Sequence, residues 1–270
     1  MKRLLSLLAV LVAAFVAGRS WTSFKVKLEI KRLFSASKPT TGKVFTYAQI
    51  VGLPNPVQRY FKLVLREGQP YINFVRLKHE GQFKTDLKKD WMAITGEQYF
   101  TTATPGFIWL GKTNLFSAKD RFAAGKGGLQ VKLFSLIPVA DGSGPKYDQG
   151  ELLRWLGESA WFPTNLLPSE NLSWSAINDN TALLTFTYDQ LTVSYKVYFN
   201  AAGEITQMET QRYMGEQTLE NWVGKFSEYQ DINGIRIPTR AEGIWRLKTG
   251  DHSYANFKLN LIEYDIPESF

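Results

Sequence analysis

Alternation with period two governs this chain. Val75, Leu77, His79, Gly81 and Phe83 interleave with Arg76, Lys78, Glu80 and Gln82. Leu191, Val193, Tyr195, Val197 and Phe199 interleave with Thr192, Ser194 and Lys196, and Ala255, Phe257, Leu259 and Leu261 repeat the pattern near the C-terminus. Successive side chains of a strand point to opposite faces, so these runs can bury one face and wet the other only as strands of a sheet. Further strand-like runs cover 91–101, 106–110, 115–123, 129–136, 172–177, 182–188, 205–213 and 222–229. The loop Asn200-Ala-Ala-Gly203 ends in the glycine that a left-handed position wants, and Asn233-Gly234 is a strong two-residue hairpin signal. Pro238, within the run 235–247, predicts an edge strand or a strand start. The expected fold is mainly β (α+β). It is a large curved antiparallel sheet or open β-barrel of roughly ten to twelve strands, with a central helix packed on its concave face.

Two segments carry helical signals instead. Leu53-Pro54-Asn55-Pro56 opens the first, with Asn55 as the expected cap and Pro56 in the first turn. Val57, Tyr60, Phe61, Val64 and Leu65 then recur at helical spacing, which predicts a stripe packed on the sheet. Arg59, Lys62 and Arg66 fall off that stripe and read as a solvated basic face, with a membrane-surface role as the sharper alternative.

The second segment, Pro138 to Pro168, is the least generic part of the chain. A turn-rich stretch delivers Asp148 to the start of a helix that runs to the aromatic pair Trp161-Phe162. Asp148 and Glu151 have capping-box spacing, and Glu151, Arg154 and Glu158 share one helical face. On that reading the three charges fix the helix. On the other, Asp148, Glu151 and Arg154 form a polar cluster at the mouth of an apolar cavity, with Trp155, Trp161 and Phe162 as its aromatic lining. These six are the candidate ligand-binding residues. Acid–base work by Asp148 and Glu151 is the third alternative. No nucleophile elbow, phosphate loop or metal triad accompanies them, so no catalytic residue, metal site or cofactor is assigned.

The N-terminus reads as a targeting segment. Lys2 and Arg3 precede an uncharged run from Leu4 to Ala17, and Gly18 and Arg19 end it. The run suits a signal peptide better than a full span, with a short uncleaved anchor as the rival. The expected organisation is an N-terminal hydrophobic helix as leader or membrane anchor at 1–20, a juxtamembrane segment and linker at 21–43, in which residues 21–34 either continue the anchor as a helix or form a spacer, and a single β-rich domain at 44–270.

A chain without cysteine has no disulfides, thiolate chemistry, cysteine-ligated metal or lipoprotein anchor. With two histidines, a His-rich metal site is out of reach. The net charge of +7 favours anionic partners, lipid headgroups among them, whereas the scattered Lys and Arg residues show no nucleic-acid motif.

Three runs together carry a family resemblance: Leu53-Pro54-x-Pro56-Val57-x-Arg59-Tyr60-Phe61; Pro138-Val139-Ala140-Asp141 through Asp148-Gln149-Gly150-Glu151-Leu152-Leu153-Arg154-Trp155 to Trp161-Phe162-Pro163-Thr164; and Asp231-Ile232-Asn233-Gly234-Ile235-Arg236-Ile237-Pro238-Thr239. The chain resembles a mainly bacterial family of unknown function, of the DUF6544 or DUF6920 type, over about Leu53 to Tyr264. That resemblance implies no activity. The hairpin-plus-proline ending is also similar to LolA-like half-barrels of the bacterial envelope, which implies a curved sheet wrapped around helices and an apolar cavity. The resulting expectation is a membrane-anchored or exported envelope protein that binds an apolar or lipid-like molecule. A tethered interaction module without a small ligand is the alternative.

Overall fold

The computed structural model describes residues 2–215 and 218–270, with side chains described from residue 16 onward. The strands are β1 (Phe74–Phe83), β2 (Met92–Thr101), β3 (Gly106–Lys112), β4 (Phe116–Ala123), β5 (Lys126–Leu133) and β6 (Ile137–Ser143), then β7 (Leu172–Asn178), β8 (Thr181–Tyr188), β9 (Leu191–Phe199), β10 (Ile205–Met214), β11 (Thr218–Ile232), β12 (Ile235–Leu247) and β13 (Gly250–Tyr264). Three α-helices accompany them among the described residues: α1 (Lys2–Ala36), α2 (Asn55–Val64) and α3 (Pro145–Glu158).

All thirteen strands lie in one sheet, ordered β6-β5-β4-β3-β2-β1-β13-β12-β11-β10-β9-β8-β7. The sheet is two antiparallel meanders fused where the first strand pairs with the last, Val75 opposite Tyr264 and His79 opposite Leu259. Its free edges are β6 and β7, so the barrel stays open. The chain between those edges is α3 followed by short 3-10 turns at Ser159–Trp161 and Pro163–Leu166.

Register assigns the faces. Val75, Leu77 and His79 align through β2 with Phe100, Gln98 and Gly96, through β3 with Phe107, Trp109 and Gly111, and through β4 with Phe122, Asp120 and Ala118. This inner face is covered by α2 and α3. Val57, Tyr60 and Phe61 from α2, and Leu152, Trp155 and Leu156 from α3, share one core with Phe100, Phe107, Phe122, Leu184 and Val197. The stripe read from α2 is the one it buries. Its cap differs from expectation: the helix starts at Asn55 with Pro54 as N-cap and no side-chain cap bond.

The outer face carries a helix too. α1 is continuous to Ala36, and Ile30, Leu33 and Phe34 pack on Phe74, Tyr99 and Ile108. Their i, i+3, i+4 spacing is a short helical stripe. Of the two readings of this segment, residues 21–36 take the first and continue the helix. Among the described residues no helix is long and apolar enough to cross a membrane. The leader expected at 1–20 falls mostly on residues 1–15, whose side chains lie outside the described residues.

Two local expectations are corrected. The stretch after Pro138 is not a string of turns but strand β6, which pairs with β5 around a bulge between Val131 and Lys132. Its Pro and Gly residues are tolerated because it is an edge strand. Pro238 lies not in an edge strand but in β12, between β11 and β13. Its partner on β11 is Tyr229, and the register runs unshifted from Ser227↔Arg240 to Tyr229↔Pro238, although Glu228 between them holds φ 54 and its carbonyl oxygen accepts from Thr239 Oγ1 at 2.7 Å. Pairing of β12 with β13 begins only at Arg240, so the proline removes no ladder bond on that side. The Asn233-Gly234 hairpin is present, with both residues at positive φ (53 and 79), as a type I′ turn requires.

Candidate functional site

Helix α3 crosses the inner face and packs on β3, β4, β5 and β6 of one meander and on β9 and β10 of the other. Each side chain it points inward therefore joins parts of the sheet that are far apart in sequence. Gly144, at φ 107, ends β6, and Pro145 starts the helix. Asp148 then falls in the fourth helical position, beyond the capping site, so the expected capping box does not form. Its Oδ1 accepts from the Gly127 amide at 2.8 Å and its Oδ2 accepts from Lys126 Nζ at 3.1 Å. Asp148 thus fastens the β4–β5 hairpin to α3.

Arg154 is the hub of a buried ionic cluster. Its Nη1 donates to Asp120 Oδ2 at 2.5 Å and its Nε to Glu158 Oε1 at 2.8 Å. The other Glu158 oxygen accepts from Gln98 Nε2 at 2.6 Å. The guanidinium lies over the rings of Trp109, 4.8 Å away, and Phe107, 5.2 Å away. Burial of these charges is costly, and the close pairing offsets that cost. Trp109 in turn meets His79 edge to edge. His79 and Trp109 are nearly coplanar with centroids 6.1 Å apart, and Trp109 Nε1 donates to His79 Nε2 at 2.7 Å. The two rings occupy space left by glycines: a β-carbon at Gly96 would meet His79 at 2.1 Å, and one at Gly111 would meet Trp109 at 2.3 Å. Burial, helped by the Arg154 charge, lowers the His79 pKa to about 3. His79 is therefore neutral, with its proton on Nδ1 because Nε2 is an acceptor.

Glu151 faces the same cluster. Burial, then the Asp120 charge, pushes its carboxyl up to about 8, against the pull of Arg154 and Arg212. Its Oε2, Asp120 Oδ1 and Arg212 Nε are buried without a hydrogen bond to a protein group. The charges that act on Glu151 are those of Asp120, Arg154, Arg212 and Glu158; Asp148 is not among them. The two carboxylates weighed as an acid–base pair thus serve separate partners.

The aromatic candidates are fasteners of the inner core. Trp155 Nε1 donates to Thr101 O at 2.8 Å and Trp161 Nε1 to Pro238 O at 3.1 Å. Phe162 packs on Phe100 with centroids 4.9 Å apart. The structure brings Glu151 and Arg154 together, sets Asp148 apart at the hairpin, and places Trp155, Trp161 and Phe162 in the core. Asp120, Gln98 and Arg212 join the cluster unannounced by any motif. The available signal was a polar residue in the apolar phase of a strand, as with Asp120 between Ala118 and Phe122. Among the described residues no group of three or more His, Asp and Glu side chains is placed to hold a metal ion.

A cleft of about 710 Å³ lies instead on the outer face, between α1 and strands β2 to β6. Val26, Ile30, Tyr99, Leu110 and Phe270 give it an apolar floor. Seven cationic residues line it (Arg19, Lys25, Lys27, Lys112, Lys119, Arg121 and Lys132) against three acidic ones (Glu29, Glu97 and Asp141). Lys119 is paired with Glu29 at 2.7 Å, which ties α1 to β4. Glu97 accepts from Tyr99 Oη at 3.0 Å, and Asp141 from Gln130 Nε2 at 3.2 Å. The side chains of Lys112, Arg121 and Lys132 have no ion-pair partner among the described residues. The cleft is therefore amphipathic, with a surplus of positive charge that its own acids do not neutralise.

This architecture defines a class: an open antiparallel half-barrel, plugged on its inner face by α2 and α3 and flanked on its outer face by a third helix. The chain belongs to the DUF6544 family, a family of unknown function, whose model matches residues 43–257. Similar solved structures include a LolA superfamily protein from Nitrosomonas europaea, 11% identical over 77% of this chain and 91% of that one, with a TM-score of 0.43. A DUF1329 family protein from Desulfovibrio piger is similar at 11% identity over 80% of this chain and 95% of that one, with a TM-score of 0.42. No protein with a curated description matches the chain.

Proposed function

We propose that this is a cell-envelope protein, exported or membrane-anchored through residues 1–20, that binds an anionic, lipid-like amphiphile. The ligand lies in the cleft between α1 and the outer face of the sheet, not under the plug helix. The cleft itself is the observation that carries this reading. Its volume of about 710 Å³ suits one small amphiphile. The apolar floor takes a hydrocarbon chain, while Arg121, Lys112 and Lys132 take an anionic headgroup such as a phosphate. The inner face, by contrast, is occupied by Trp155, Trp161 and Phe162, whose contacts are made within the protein.

Native mass spectrometry with two soluble probes tests the reading. Lysophosphatidylglycerol should give a one-to-one adduct, and lysophosphatidylcholine a weaker one. The double variant Arg121→Glu/Lys132→Glu should weaken the anionic adduct by roughly tenfold or more, as loss of two charge-assisted contacts demands. Equal adducts from wild type and variant, or none from either, would remove this function.

A further inference from the structure

The end of the molecule where α1 meets the hairpin tips exposes apolar side chains on three segments at once. Leu115, between β3 and β4, is 59% exposed, and Phe134 and Ile137, around the β5–β6 turn, are 50% and 57% exposed. The two tips are joined by a hydrogen bond from Phe134 N to Leu115 O at 2.8 Å. Helix α1 reaches the same place: a β-carbon at Gly18 would lie 3.2 Å from Leu136 Cδ2. Trp21, three residues along α1, is 59% exposed.

The β5–β6 turn is unusual for a turn in water. Phe134 and Ser135 both hold positive φ, 50 and 63, where Asn-Gly would sit with little strain. The backbone thus accepts strain while presenting a large aromatic side chain outward. Charge completes the pattern. Residues 16–28, 112–118 and 130–140 contain no Asp or Glu, yet they carry Arg19, Lys25, Lys27, Lys112 and Lys132. Apolar tips ringed by cations, with an aromatic residue at the boundary, fit a negatively charged lipid surface.

We propose that this end docks on an anionic bilayer. The β3–β4 and β5–β6 tips seat Leu115, Phe134 and Ile137 at headgroup depth beside α1, so that the cleft lies next to the membrane. The inference rests on the envelope location argued above and not on the occupancy of the cleft. It adds a second, folded contact to whatever the leader makes.

The absence of cysteine makes the test direct. Full-length Phe134→Cys and Gln190→Cys each accept one environment-sensitive fluorophore. Gln190 lies in the β8–β9 turn, next to Asp189, which approaches Gly125 of the β4–β5 turn at the opposite end. Vesicles of one part phosphatidylglycerol to three parts phosphatidylethanolamine should blue-shift the label at 134 and leave that at 190 unchanged. Spin-labelled lipid should quench only the former. Pure phosphatidylcholine vesicles should give a smaller shift at 134. An unshifted label at 134 on protein that floats with the anionic vesicles overturns the proposal. So does a shift that appears without vesicles and grows with protein concentration, which would mean a second copy covers the patch. A lost lysolipid adduct with the shift at 134 intact would remove the ligand reading alone.

Discussion

Glu151 is the residue whose environment departs furthest from what its sequence position announced. Spacing offered it as half of a capping box; the fold buries it among four other charges. In the unfolded chain its carboxyl releases a proton near 4.5, and in the folded protein only near 8. Between those values the folded state holds a proton that the unfolded state has lost. Stability therefore falls as pH rises from about 4.5 to about 8 and flattens above that. Glu151→Gln removes this dependence. Thermal and urea unfolding at pH 8.5 should show the variant more stable than wild type, on the order of 1–3 kcal/mol, with the gap shrinking toward zero at pH 4. A gap that stays constant with pH would assign the burial cost to something other than ionisation. Single-residue chemistry of this kind is poorly legible in sequence because it depends on which strand faces the helix. Glu151 and Arg154 could be named from their spacing. Asp120, Gln98 and Arg212 could not, since they come from β4, β2 and β10 and meet only once the sheet is laid out.

At the scale of elements, alternation located strands well and failed where alternation itself fails. β6 carries Pro138 and Gly142 and is exposed at all positions but Gly142, so it has no apolar phase to read. Pro238 misled because β13 pairs with β12 only from Arg240 onward, and where a neighbouring strand stops pairing cannot be read from the proline's own strand. For α3 the sequence showed the helix but not its first residue. The strand-ending glycine at 144 and Pro145 set the start three residues before Asp148. Asp148 therefore acts between elements, holding the Gly127 amide. Asp148→Ala should cost about 1–3 kcal/mol, because a buried amide loses its acceptor. Asp148→Asn keeps a carbonyl oxygen in the same place and should cost less. Hydrogen exchange reads the difference directly: the Gly127 amide should exchange faster in the Ala variant and remain protected in the Asn variant. If both variants leave that amide protected, the hairpin is held by other contacts.

For the whole molecule, the sequence conveyed a curved antiparallel sheet around a helix but not its closure pattern. Period two gives the phase of each strand and says nothing about which strands far apart in sequence are neighbours. The seam between β1 and β13, which makes two meanders one sheet, was therefore invisible. So was the outer layer, because Ile30, Leu33 and Phe34 make too short a stripe to distinguish packing from a spacer. That layer divides α1 into two jobs. Its C-terminal turns bury Ile30 and Phe34 against the sheet, whereas Arg19, Trp21, Thr22 and Ser23 wall the cleft. Two truncations should separate the jobs. Removing residues 2–24 leaves the packed turns in place and takes only Arg19, Trp21, Thr22 and Ser23 from the cleft wall, so the melting temperature should change little while binding of lysophosphatidylglycerol weakens but persists. Removing residues 2–36 also uncovers Phe74, Tyr99 and Ile108, and three large apolar contacts at about 1.5–3 kcal/mol each should lower stability by several kcal/mol. At about 2–4 °C per kcal/mol for a chain of this size, the second truncation should melt on the order of 10 °C lower. Equal melting temperatures for the two truncations would mean that α1 is not part of the folded unit. Undiminished lysolipid binding in the longer truncation, which removes Val26 and Ile30 from the cleft floor, would place the ligand elsewhere.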